Sequence, residues 1–124
     1  MSEDTPIIDI DSALNRALGD VAFLQMMFDE FQQMLPETMA GMSEAVTGGD
    51  MQRLAMDAHQ LKGAAANLGA MALASAALTL EKIVKSGDHA GVREAFERIQ
   101  AAVDHFKQHL SLINWSCLGE NSPA

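Results

Sequence analysis

The chain has 124 residues, enough to bury one hydrophobic core and short of what two would need. Apolar residues make up 48% of it, aromatics only 5%, and tyrosine is absent, so an aliphatic core rich in Ala, Leu and Met is expected, which favours helices over sheets. Seventeen acidic against eight basic side chains give a formal charge of −9, which repels nucleic acid over most of the surface, and the single Cys117 cannot close an internal disulfide. Residues 1–6 have neither the basic start nor the apolar stretch of a secretory signal, and no apolar run reaches membrane-spanning length; a cytoplasmic protein is the expectation.

In chain order, residues 11–18 predict a short helix. After Gly19-Asp20 a long helix follows over 21–46, where Leu24, Phe28, Phe31, Leu35, Met39, Met42 and Val46 keep helical steps through Pro36. The proline removes a backbone donor, so the pattern predicts one bent helix and not two. Next, 51–68 places Leu54, Ala58, Leu61, Ala65 and Leu68 on one stripe, alternating steps of four and three, the spacing of a bundle seam. Residues 70–85 repeat it with Leu73, Ala77, Leu80 and Val84. The last segment, from residue 90, carries Val92, Phe96, Ile99, Val103, Phe106, Leu110 and Ile113.

Gly19-Asp20, Gly48-Gly49-Asp50 and Gly87-Asp88 each read as a helix stop followed by a start, with Gly69 as a fourth stop. Short connections make successive helices antiparallel neighbours. The expected fold is all-α, an up-down antiparallel four-helix bundle with a short additional N-terminal helix. One domain spans 1–113, and 114–124 is expected to be an irregular tail from which Trp115 packs back on the bundle.

The informative stretch is Ala58-His59-Gln60-Leu61-Lys62-Gly63-Ala64-Ala65-Ala66-Asn67-Leu68-Gly69. At about 100° per residue, His59 lies roughly 130° from the centre of the apolar stripe and should face solvent. Gln52 and Ala55 on one side and Lys62, Gly63 and Ala66 on the other share its face, and most of them are small. A mid-helix glycine costs about 1 kcal/mol relative to alanine, so Gly63 needs a reason, and room beside the imidazole is one. An exposed imidazole is substantially uncharged near neutral pH and can act as a nucleophile. Lys62, three residues along the helix, can offset part of an incoming phosphoryl charge. Since phosphoryl transfer is mostly positioning and charge stabilisation, these groups and open access make half of a site.

These residues, with Leu80-Glu81 and Gly87-Asp88 further on, resemble the signature of histidine-containing phosphotransfer (HPt) domains, and the resemblance extends over about residues 8–112. It implies that His59 accepts a phosphoryl group on Nε2 and carries it between aspartates of receiver domains in a two-component phosphorelay. It further implies that Lys62 and Gly63 flank the histidine and that a polar residue on the next helix, here Glu81, contacts its ring. A carboxylate there can hold the ring in one tautomer or repel the phosphoryl group. Gln52, Ala55 and Ala66 then fall on the partner-docking face. Such a domain is a carrier and not an autonomous enzyme: it needs no cofactor of its own, Mg²⁺ being expected in the partner receiver. Expected partners are response-regulator receiver domains and a hybrid sensor histidine kinase, with the protein itself a monomer.

Other chemistries are weaker. An adaptor of the same fold that regulates a receiver or kinase by binding alone is the alternative, against which His59, Lys62 and Gly63 stand intact. His105 and His109 share a helix face, but no metal site is expected, because a structural zinc needs about four ligands and none are offered nearby. Cys117 has no histidine partner placed for it. The nine methionines, Met26, Met27, Met34, Met39 and Met42 among them, read as core filler, some of it bordering a docking face.

Overall fold

Asp20 and Asp50 begin the two central helices by accepting, on Oδ1, the backbone N–H groups of Phe23 at 3.0 Å and Arg53 at 3.1 Å. The computed structural model describes residues 7–120; residues 1–6, residues 121–124 and the Cys117 side chain, all considered above, lie outside the described residues. Helix α1 spans Ile10–Arg16, α2 Val21–Gly48, α3 Met51–Asn67, α4 Met71–Ser86, α5 Val92–Ser111 and α6 Trp115–Glu120, with a 3-10 turn at His89–Gly91. All regular structure among the described residues is helical. Helices α2 to α5 form the bundle, each packed on its neighbour in sequence, with α5 returning to α2 and the tightest pairing between α3 and α4.

The core follows the apolar stripes. Leu24, Phe28, Leu35, Met42, Leu54, Leu61, Leu73, Leu80, Ile99 and Phe106 are fully buried. α2 runs unbroken through the exposed Pro36, whose missing N–H leaves the Gln32 carbonyl without its helical donor. The methionines divide: Met42 is buried, Met27 and Met39 pack partly on the core, and Met26 and Met34 are exposed.

Helix α1 is pinned across the C-terminus of α3. The Asp9 N–H donates to the Gly69 carbonyl at 2.7 Å, and Arg16 donates to the Asn67 carbonyl at 3.1 Å. Gly69 adopts φ +73°, and any Cβ there would run into the Asp9 backbone, so both its conformation and the close approach of α1 require glycine.

Two sequence expectations change. Asp88 caps the 3-10 turn, its Oδ1 accepting the Gly91 N–H at 3.3 Å, and α5 starts two residues later than expected, at Val92. The tail expected to be irregular over 114–124 is helical at Trp115–Glu120, because Trp115 packs against the bundle with its ring 5.7 Å from that of Phe28 and anchors a turn that begins at the Asn114 carbonyl. No helix among the described residues is long and apolar enough to cross a membrane.

Candidate functional site

With Leu54, Ala58, Leu61 and Ala65 buried, the orientation of α3 is fixed and its opposite face is turned outward. The His59 side chain is 63% exposed. Gln52 and Gly63 are exposed around it, and Ala55, Lys62 and Ala66 are half-buried. A Cβ built on Gly63 would meet nothing within 4 Å, so that side of the imidazole is open space.

The second half of the site comes from α4. Ala74 and Ala77 precede Glu81 by seven and four residues, share its helix face and are buried, as are Ala58 and Ala65 within about a turn of Lys62 on α3. Short side chains along this seam let the two helices approach until a glutamate reaches from one to the other. Glu81 is only 5% exposed. Its Oε2 lies 3.0 Å from His59 Nδ1 and 2.8 Å from Lys85 Nζ, and its Oε1 lies 3.4 Å from Lys62 Nζ.

This environment fixes the protonation of the carboxylate. The hydrogen bond from Lys85 holds the Glu81 pKa down at about 2, with the nearby charges of Lys62, Lys85 and His59 acting in the same direction and together overcoming the burial that would raise it. An ionised carboxylate only accepts hydrogen bonds, so the 3.0 Å contact requires the proton on Nδ1. In the neutral ring the lone pair then resides on Nε2, the nitrogen that Glu81 does not engage. The contact with the ring that a glutamate could make here is thus present at 3.0 Å.

A recess of about 370 Å³ adjoins the imidazole, lined by Ala55, Met56, His59, Gln60, Glu81 and Lys85. Of the expected site residues, His59, Glu81 and Ala55 line the recess, and Lys62 reaches Glu81 from outside it; Gly63, Gln52 and Ala66 lie on α3 without lining the recess. Sequence reasoning missed Lys85, Met56 and Gln60. For Lys85 a signal existed: a glutamate four residues before a lysine on one helix is a favourable ion-pair spacing. On the other side of α3, Met27, Glu30, Phe31, Met34, Ala64, Asn67 and Leu68 line a smaller groove of about 210 Å³. His105 and His109 are exposed on α5, and no group of three or more His, Cys, Asp or Glu among the described residues is placed to hold a metal ion.

The helical bundle thus presents a solvent-facing imidazole, backed by a buried carboxylate and two ammonium groups. The chain belongs to the Hpt domain family, whose model matches residues 26–109, more than half of the sequence and all of α3 and α4. Hpt domains are phosphoryl carriers, and membership implies a phosphotransfer role in a phosphorelay and interaction with receiver domains of two-component systems. No curated protein and no solved structure matches it.

Proposed function

We propose that the protein carries a phosphoryl group on His59 Nε2, taking it from the aspartate of one receiver domain and handing it to the aspartate of another. The observation that supports this most strongly is the hydrogen bond from His59 Nδ1 to the ionised, buried Glu81, which directs the lone pair of an exposed ring to Nε2. In the forward step that lone pair attacks the phosphorus of an aspartyl phosphate; the Nε2–P bond forms, the P–O bond breaks, and the aspartate leaves as carboxylate. Lys62 and Lys85 offset phosphoryl charge from the side of Glu81, each ammonium having donors beyond the one turned to the carboxylate. Gly63 leaves the approach open, and Gln52, Ala55 and Ala66 belong to the docking face. The Mg²⁺ that phosphoryl transfer needs comes with the receiver, and the protein works as a cytoplasmic monomer, with a hybrid sensor kinase among its donors.

The test is phosphoryl transfer from a panel of phosphorylated receiver domains, read by intact mass and acid lability, with His59→Gln as control. An acid-labile label on the wild type and none on the variant is the expected result. If every receiver keeps its phosphate while some still bind, the carrier reading is wrong and an adaptor that regulates by binding replaces it.

A further inference from the structure

The site holds one anion and two cations, and the anion is set against the ring nitrogen that does not receive the phosphoryl group. A ring phosphorylated on Nε2 has no lone pair left there, so a proton kept on Nδ1 makes it a cation. If that proton stays, breaking the Nε2–P bond returns the electron pair to Nε2 and releases a neutral imidazole, with no proton moved. Without that proton, the same cleavage must expel an imidazolate, a far poorer leaving group. Whether the phosphoryl group can depart therefore depends on what holds the proton at Nδ1.

We propose that Glu81 keeps the Nδ1 proton on the phosphorylated ring, so that the phosphoryl group stays transferable at neutral and mildly alkaline pH, while the charges of Lys85 and Lys62 on the same carboxylate oppose a ring cation and set the upper pH limit. This rests on the reading of His59 as phosphoryl acceptor. Three features carry it. The acceptor is 95% removed from water, so little solvent competes for the bond. One oxygen, Oε2, accepts from both the ring at 3.0 Å and Lys85 at 2.8 Å, which sets the lysine's charge against the same oxygen that holds the ring proton. The ammonium groups oppose a ring cation by repulsion, whereas the carboxylate favours it.

Among the described residues, no charge but that of Glu81 is bonded to the ring. Glu81 meets it from α4, and Lys62 of α3 and Lys85 of α4 pair with that same carboxylate. On α2, Glu30 lies in the groove with Ala64 and Asn67, and Glu44 pairs with Arg53, as does Asp57 of α3. Changing the anion and changing a cation must therefore move the pH limit in opposite directions, which a merely structural role for either residue would not do.

The experiment uses the full chain phosphorylated on His59 by a small phosphoramidate donor, in wild type, Glu81→Gln and Lys85→Gln. Loss of the label to water and to one fixed receiver domain is followed from about pH 6 to about pH 10, with ¹⁵N spectra of the phosphorylated ring recorded in parallel. Glutamine keeps an acceptor for Nδ1–H and removes only the charge. The pH at which the rate has fallen by half should move down by about one pH unit in Glu81→Gln and up, by less, in Lys85→Gln, with the Nδ1–H signal disappearing over the same range. Superimposable profiles, or shifts in the same direction, overturn the proposal while leaving the carrier reading intact. A wild type that takes no label on His59 overturns both.

Discussion

The two halves of the bundle are built from different residues. Neither α3 nor α4 contains a phenylalanine or tryptophan; all five phenylalanines and the tryptophan lie on α2, α5 and α6. In the aromatic half, Phe106 stacks on Phe28 with ring centroids 6.0 Å apart and meets Phe31 edge-on at 5.3 Å, and Trp115 closes on Phe28 from the other side. In the other half, buried alanines on both helices replace bulk with proximity, and a polar network spans the seam. The contrast separates two jobs: large rings supply buried area and stability, whereas small residues supply the short distance on which the site's chemistry depends.

That separation can be broken by experiment. Phe106→Ala removes the ring at the centre of the aromatic cluster and should cost about 3–5 kcal/mol in urea unfolding. Wherever the variant remains folded, His59 should still accept phosphoryl groups at the wild-type rate. A transfer defect in the folded variant would mean the halves are not independent.

Glu81 supplies the next effect in size. Its pKa is lowered from an ordinary 4.5 to about 2, so its interactions stabilise the fold above about pH 4.5 and that stability is lost as pH falls toward about 2. The full loss is at most about 3 kcal/mol, and salt reduces it because the Lys85 side chain is 66% exposed. Urea titrations of wild type and Glu81→Gln across that window should show the difference between them shrinking as the pH drops; a constant difference would remove the carboxylate from the account.

Ala77→Leu tests proximity itself. Ala77 is fully buried one turn before Glu81, and overpacking there should cost about 1–3 kcal/mol while wedging α4 away from α3. The His59 ring should then lose its preference for a proton on Nδ1, visible in ¹⁵N spectra. If the preference survives, seam width does not set the contact.

What the sequence made legible follows the same division. Local signals were readable: Asp20 and Asp50 cap the helices as their positions implied, and the apolar stripe of α3 placed His59 outward, as its 63% exposure bears out. These depend on one helix at a time. The partner that Glu81 engages depends on the distance between two helices, which periodicity does not encode, so its bond to the ring became visible only with the seam. Lys85 escaped because its pairing with Glu81 gains meaning only once that carboxylate also meets His59. α6 escaped for another reason: six residues are too few for a hydrophobic period, and its order rests on Trp115 reaching Phe28 across the bundle.

Gly63 offers the smallest effect and the sharpest separation of fold from function. A Cβ there would touch nothing, so the fold has no steric use for the glycine, and Gly63→Ala should raise stability by about 1 kcal/mol through helix propensity alone. The added methyl group would project about 40° around the helix from His59, into the space through which a receiver's aspartyl phosphate must approach. Transfer should therefore fall, by about tenfold if closest approach is delayed by even part of an ångström, while unfolding shifts to higher denaturant. Stability and activity moving in opposite directions would show that the glycine is kept for the partner at the bundle's expense. A variant that is both more stable and equally fast would deprive Gly63 of any part in the site, and the open face of α3 would have to be explained by docking at Gln52, Ala55 and Ala66 alone.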